Sequence, residues 1–212
     1  MTIIIALKDK FNDRVILASD RQSTTGQIKT SNADKIVTIT VDVNDGYNNT
    51  VRKDKIYIGL AGYGFLENYL RYTFKAPPIS EKQDFVDYLY NDFLNQLRTE
   101  LTDKNLLGKR DDVFESESGM IIVHNGEIYE VYSRFSVSLV DEYAVTGSGW
   151  QLAIGSLYTN LHFHKKMDRE DMVRQAIISC GVNTIYCDNN VNLKIIPIWG
   201  FVYERKCGIH NI

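Results

Sequence analysis

Thr2, which directly follows Met1, is the residue at the start of the chain that could carry covalent chemistry. A small second residue allows methionine aminopeptidase to remove the initiator, so we expect Thr2 to become the N-terminus. A threonine hydroxyl is a weak nucleophile until a base takes its proton. The free α-amine of the same residue, with a pKa of about 7.7–8.0, is such a base near neutral pH. An N-terminal Thr2 would therefore hold nucleophile and base together, with a water relaying the proton.

The cysteines and histidines do not have the spacing of a disulfide framework or of a metal site. Cys180, Cys187 and Cys207 are odd in number and include no Cys-x-x-Cys pair. They favour a reducing compartment over a disulfide framework or a structural zinc site. His162 and His164 are two residues apart, so they would lie on different faces of a helix. The sequence therefore predicts no transition-metal site and no required cofactor.

Composition and charge narrow the class of protein. The 212 residues, 44% of them hydrophobic, fit one globular domain with a sizeable core, predicted over 1–212. The net charge is −3 and the basic residues are scattered, which argues against nucleic acid or an anionic membrane as partner. The N-terminus lacks a positively charged signal region, and no apolar stretch reaches the roughly 20 residues that span a bilayer. We expect a cytoplasmic protein.

Short β-strands dominate the first third of the chain. Residues 3–7 and 15–19 are apolar and β-branched, with a polar turn between them. Residues 35–41 alternate with a period of two, as a strand with two different faces does. Asn44-Asp45-Gly46 is a turn signal, and residues 56–60 are the predicted returning strand.

Helices follow in pairs. The first predicted helix covers residues 65–74. Ser80 to Gln83 has the form of a capping box, and apolar residues recur behind it at helical spacing from 86 to 101. The later predicted elements are strands at 120–123, 127–132, 143–145, 184–186 and 195–202, a helix from Trp150 to about His164, and a helix capped by Asp168.

This order, with strands and pairs of helices in separate blocks, differs from the alternation of a parallel βαβ protein. It predicts an α+β fold in which two antiparallel sheets bury one face on each other and the other on helices. The expected architecture is a four-layer α-β-β-α sandwich.

Four segments along the chain share a further pattern. They are Met1-Thr2 with the β-branched run to Ala6, the strand and turn from Ile16 to Gly26 with Ala18-Ser19-Asp20-Arg21 at its centre, Asp34-Lys35-Ile36, and Ala144-Val145-Thr146-Gly147-Ser148-Gly149. In this order and spacing they resemble the N-terminal-nucleophile (Ntn) hydrolases of the proteasome β-subunit/HslV type. Gly59-Leu60-Ala61-Gly62 is similar to the strand end that supplies an oxyanion-hole amide in that family. The resemblance covers nearly the whole chain and implies the Ntn hydrolase fold.

The resemblance implies roles for five residues. Thr2 would be the nucleophile, and the ammonium of Lys35 would disfavour protonation of the Thr2 amine. Asp20 would hold Lys35 through an ion pair. The backbone N–H of Gly62 would stabilise the oxyanion. Ser148 would hydrogen-bond the terminal amine or the bridging water.

The implied activity is that of a threonine-type peptidase acting on peptides or unfolded proteins. The family works in homo-oligomeric rings that an AAA+ unfoldase usually feeds. Two alternatives stay open. One is a catalytically silent proteasome-like scaffold protein that keeps Met1, and the other is an Ntn amidohydrolase that acts on a small amide without an unfoldase.

The chain also departs from the family pattern. HslV-type proteins bind a monovalent cation through backbone carbonyls of a Gly-x-x-Cys-x-x-Thr segment. Gly181, Thr184 and Cys187 keep that spacing with different residue types, which implies a Na⁺ or K⁺ site. The stretch 180–183 lacks the Asp that supports the site in the proteasome branch. Because the residues after Gly62 also differ from the family, its substrate preference cannot be transferred.

Overall fold

The computed structural model describes residues 2–25, 28–47, 49–62, 64–110, 113–115 and 118–198. Most of the described residues belong to strands and helices. In chain order the strands are β1 (Ile3–Asp9), β2 (Arg14–Asp20), β3 (Ser23–Thr25), β4 (Ile28–Thr30), β5 (Ile36–Asn44), β6 (Thr50–Ala61), β7 (Ile79–Ser80), β8 (Gly108–Arg110), β9 (Val113–Glu115), β10 (Gly119–His124), β11 (Glu127–Val131), β12 (Val137–Val140), β13 (Tyr143–Gly147) and β14 (Val191–Pro197).

The first sheet has the strand order β13-β1-β2-β14 and is antiparallel throughout. Its central strand β1 pairs Ile5 with Val145 on one side and with Ala18 on the other. Both faces of β1 and β2 are buried, which explains why these two strands are continuous apolar runs.

The second sheet has the order β12-β11-β10-β6-β5-β7. All its pairs are antiparallel except the short β7, which runs parallel to β5. Asn125 and Gly126, both with positive φ, form the tight turn of the β10–β11 hairpin, as the Asn-Gly pair predicts.

Helices cover the outer faces of the sheets. Helices α1 (Gly64–Tyr72), α2 (Phe85–Asp87) and α3 (Leu94–Asp103) follow β6, and a π-helical segment (Tyr88–Phe93) joins the last two. Helices α4 (Trp150–Phe163) and α5 (Arg169–Asn183) follow β13, and Asp168 caps α5 by accepting from the Glu170 N–H.

Three apolar cores fill the spaces between these layers. Leu157 and Ile177 pack α4 and α5 on the first sheet, and Leu70 and Leu97 pack α1 and α3 on the second. The core between the two sheets includes Ile4, Leu17, Ile36 and Ala61. This α+β arrangement is the four-layer α-β-β-α sandwich predicted from the order of elements.

Some predicted boundaries were wrong. Ser80 does not cap a helix, because it belongs to β7, and the N–H groups of Val86 and Asp87 are capped by Asp84 instead. Residues 184–186 form no strand, since the Ile185 carbonyl accepts from the side chains of Gln22 and Lys29 rather than from a neighbouring strand.

Other boundaries shift without changing the fold. The returning strand β6 begins at Thr50, before the predicted residue 56, and the last strand begins at Val191. The part of that predicted strand beyond residue 198 lies outside the described residues. The structure also adds β12 and the hairpins β3–β4 and β8–β9, which the sequence patterns did not predict. Among the described helices, none is long and apolar enough to cross a bilayer.

Candidate active site

One edge of the sandwich gathers the predicted site residues, because antiparallel pairing brings strand starts and strand ends together. Thr2 precedes β1 and Asp20 ends β2, while Lys35 precedes β5 and Gly62 follows β6. The two sheets approach closely behind this edge. A Cβ on Gly59 of β6 would lie 2.4 Å from the Ile4 Cγ2 of β1. The sheets therefore hold these four residues on a rigid base.

Asp20 is the polar centre of the edge. Its side chain is completely buried, and its Oδ1 accepts from the Ile3 N–H at 2.9 Å and from the Lys35 ammonium at 2.7 Å. Its Oδ2 accepts from the N–H groups of Gln22 at 3.2 Å and Asp188 at 3.3 Å. A buried carboxylate needs such partners to offset its lost hydration. Asp20 thus ties the start of β1 to Lys35.

Lys35 is fixed from both ends. Its backbone carbonyl accepts from the Leu60 N–H at 3.0 Å, and its ammonium lies against Asp20 with 6% of the side chain exposed. Because burial raises the cost of separating these charges, the ammonium is held in one place. That place is the wall of a cavity that Thr2 also lines.

The end of β13 positions Thr2. The Ser148 N–H donates to the Thr2 carbonyl at 2.8 Å, and Gly147 has φ +107°. A Cβ on Gly147 would lie 2.2 Å from the same carbonyl oxygen, so this close approach requires glycine. Ser148 therefore meets Thr2 through its backbone, and its side chain is exposed.

Gly62 forms another part of the cavity wall. It has φ +138°, and a Cβ there would lie 2.3 Å from the Ser118 Oγ. A side chain at this position would meet both backbone strain and a steric clash. The chain turns here from β6 into the loop before α1, which leaves Gly62 at the cavity beside Thr2 and Lys35.

The cavity has a volume of about 130 Å³. Besides Thr2, Lys35 and Gly62 it is lined by Glu67 of α1 and by the polar residues that follow β2, among them Ser23. Burial raises the pKa of Glu67, and 18% of its side chain is exposed. The residues around the cavity therefore include hydroxyl-bearing residues, a lysine, a glycine turn and a glutamate.

Asp188 is a site neighbour that the sequence did not reveal. Besides donating to Asp20, it accepts from the Arg21 N–H at 3.1 Å, and its Oδ2 is buried without a hydrogen-bond partner among the described residues. The stretch 180–183, which lacks the Asp of the proteasome branch, is the end of α5. Asp188 lies 168 residues from Asp20 along the chain, so no local motif connects the two residues.

The residues of the predicted cation site lie at the end of α5 and in the loop behind it. Gly181 touches the loop closely, since a Cβ there would lie 2.6 Å from the Asp188 carbonyl oxygen. Thr184 ends the helix by donating to the Cys180 carbonyl at 2.9 Å, and Cys187 is buried. Gly181, Thr184 and Cys187 are thus close in chain order and in the fold, near the Asp20 region.

The two buried thiols near the site are poor nucleophiles. Burial raises the pKa of Cys180 to about 12 and also raises the pKa of Cys187. A thiol reacts as its thiolate, so both stay protonated and unreactive at neutral pH. Thr2, Ser23 and Thr24 carry hydroxyl groups and line the cavity.

Of the comparisons with known proteins, the one with solved structures found matches. The sequence matches no protein-family model and no curated protein. The structure of Thiobacillus denitrificans BPH superposes with a TM-score of 0.73 at 20% identity, covering 93% of this chain and 98% of that chain. The same protein in complex with epoxomicin gives a TM-score of 0.72 at 18% identity, covering 93% and 100%.

A third similar structure is the eukaryotic HslV from Trypanosoma brucei, with a TM-score of 0.56 at 19% identity over 92% of this chain and 99% of that chain. At these identities the likeness concerns the backbone fold. Together with the two stacked antiparallel sheets and their flanking helices, it shows that this chain has the Ntn hydrolase fold of the proteasome β-subunit/HslV type.

Proposed function

We propose that this chain is a threonine-type peptidase whose nucleophile is Thr2, exposed by removal of Met1. The observation that carries the proposal is the buried pair of Asp20 and Lys35 at the wall of a cavity that Thr2 and Gly62 also line. A lysine ammonium fixed beside a terminal amine disfavours protonation of that amine, which then stays available as a base.

The chemistry follows from these positions. The Thr2 amine takes the hydroxyl proton, through a water, while Oγ attacks the carbonyl carbon of the bound amide. The Gly62 N–H stabilises the oxyanion that forms. The same proton passes to the departing amine, which leaves an ester on Thr2. Water then hydrolyses the ester and regenerates the hydroxyl.

The fold supports a wider proposal about assembly. We expect a cytoplasmic homo-oligomeric ring that takes peptides or unfolded proteins, with an AAA+ unfoldase as the candidate partner. Large apolar side chains are exposed on α4 and α5, including Tyr158, Phe163 and Val182. We expect neighbouring subunits to cover these side chains in the ring. Light scattering on the purified protein measures the assembly size, and a stable monomer would contradict the ring.

A monovalent cation at Gly181, Thr184 and Cys187 stays part of the proposal. Backbone carbonyls are hard oxygen ligands, and the end of a helix leaves carbonyls without helical partners. The buried Asp188 Oδ2 lies in the same region and lacks a hydrogen-bond partner among the described residues. A higher unfolding temperature in KCl or NaCl than in choline chloride at equal ionic strength would support this site.

Intact-mass spectrometry with epoxomicin tests the activity, since the BPH neighbour has been solved in complex with that molecule. We expect the native protein to lack the initiator methionine and to bind one equivalent of epoxomicin, while Thr2→Ala binds none. A protein that keeps Met1 and still cleaves peptides at full rate would refute the mechanism. A mature protein that neither binds epoxomicin nor cleaves any amide would be a scaffold, and one that cleaves only small amides would be an amidohydrolase.

A further inference from the structure

Glu67 lies in the first turn of α1, the helix that begins two residues after Gly62. Glu67 lines the same cavity as Thr2, and only 18% of its side chain is exposed. When the Thr2 hydroxyl attacks a peptide carbonyl, the side chain of the residue that bears this carbonyl must lie near Thr2. The cavity that Thr2 and Glu67 share is the space open to it.

The charge of Glu67 is only partly neutralised. It pairs with Arg71, at 3.4 Å between Oε1 and Nη2. The same guanidinium is bound more closely by Asp34, at 2.7 Å to the carbonyl oxygen and 3.1 Å to Oδ2. Two carboxylates thus share one arginine.

The other cation at the cavity has its own partner. The Lys35 ammonium lies 2.7 Å from Asp20, so its charge is already matched within the protein. The other described residues that line the cavity are uncharged: Gln22 donates to Thr24 at 3.1 Å, and Ala33 and Leu60 are apolar. Among the described residues that line the cavity, the charge that is only partly neutralised is therefore negative, and it belongs to Glu67.

The cavity is large enough for a side chain, and the charge of its lining favours a cationic one. Its volume of about 130 Å³ is close to that of the ~150 Å³ engineered cavity that holds benzene in another protein. Lysine and arginine place an apolar stem along surfaces such as Leu60 and carry the charge at the tip. Burial raises the pKa of Glu67, and an entering cation would relieve that cost of desolvation.

We propose that Glu67 selects substrates with arginine or lysine at the residue that contributes the attacked carbonyl. This selectivity rests on the proposed peptidase function of Thr2. Glu67 acts by pairing its carboxylate with the substrate cation, and it takes no part in the chemical step.

Two peptide substrates of matched size separate the effect of the side chain's charge from the effect of its size. One fluorogenic peptide carries arginine before the scissile amide, and its twin carries citrulline, which has nearly the same shape without the charge. We expect the mature wild-type protein to show kcat/KM about 10- to 100-fold higher for arginine. In Glu67→Gln the two peptides should react within about threefold of each other, because the carboxylate is gone while the shape is kept.

Glu170→Gln is the matched control. Glu170 also pairs with an arginine four residues on, at 2.8 Å from Arg174, but it lies on α5 and does not line the cavity. This variant should keep the wild-type ratio. Since each ratio is measured within one protein sample, a change in the folded fraction cancels.

The outcomes separate the two proposals. A wild-type protein that cleaves both peptides equally, or whose preference survives Glu67→Gln, overturns the role of Glu67 and leaves the peptidase function standing. A mature protein that cleaves neither peptide and binds no epoxomicin overturns the function, and the selectivity with it.

Discussion

Replacing Gly147 with alanine should disable the site while the rest of the fold remains. Gly147 has φ +107°, and an added Cβ would lie 2.2 Å from the Thr2 carbonyl oxygen. Real Cβ atoms essentially never come within 3.0 Å of such neighbours. The start of β1 and the end of β13 must therefore separate by about 0.8 Å or more, a shift of the size that costs about 100-fold in rate when it misplaces a reacting group.

The same substitution should lower the stability of the protein less than it lowers its activity. A non-glycine residue held in this backbone region costs about 1–3 kcal/mol, and most of the three cores lies away from the change. We therefore expect kcat/KM for peptide hydrolysis to fall about 100-fold, while the free energy of unfolding falls by about 1–3 kcal/mol. Peptide kinetics and denaturant unfolding measure the two quantities on the same preparation.

Two other glycines provide matched controls. Gly155 is exposed within α4 and has open space around it, so Gly155→Ala should gain about 1 kcal/mol of stability with unchanged activity. Gly126 has φ +80° in the β10–β11 turn, so Gly126→Ala should lose stability without a comparable loss of kcat/KM per folded molecule. If folded Gly147→Ala retained nearly full activity, or if Gly126→Ala lost as much, the geometric reasoning would be wrong.

Three further predictions concern single side chains. Thr2→Ala should abolish peptide turnover and change the free energy of unfolding by less than about 1 kcal/mol, as denaturant titration would show. Lys35→Ala should silence hydrolysis and cost about 3–5 kcal/mol, because it leaves the Asp20 charge buried without a cation, and an unchanged rate would remove Lys35 from the mechanism. Burial lowers the pKa of His124 below its ordinary 6.5, so the unfolded chain takes up the proton first and wild-type stability should fall as pH drops below 6.5. His124→Gln should lack this component of the pH dependence, and an identical pH profile for both proteins would refute it.

Local patterns were enough to predict most elements. The alternation in β5, the Asn-Gly turn at 125–126 and the Asp168 cap each depend on a few neighbouring residues, and the structure has all three. The capping prediction at Ser80 failed for a non-local reason. Ser80 is drawn into β7 by pairing with Asn44, which is far away in the chain.

The candidate site was only partly predictable for a similar reason. Asp20 and Lys35 could be proposed because both belong to short motifs with a family resemblance, and the structure places them in one ion pair. Glu67 and Asp188 have no such motif around them. Their positions depend on how α1 packs beside β5 and on how the loop before β14 meets the end of β2.

By itself the sequence determined the periods, turns and caps of the elements, and with them the layered fold class, because these features arise from interactions between near neighbours. Only the tertiary structure decided which residues meet. The Asp20 carboxylate accepts from groups 17, 15 and 168 residues away, and the register of three strand pairs brings those groups together. Strand register is a collective property of the folded core, so the cavity and the charge around it could be described only from the folded chain.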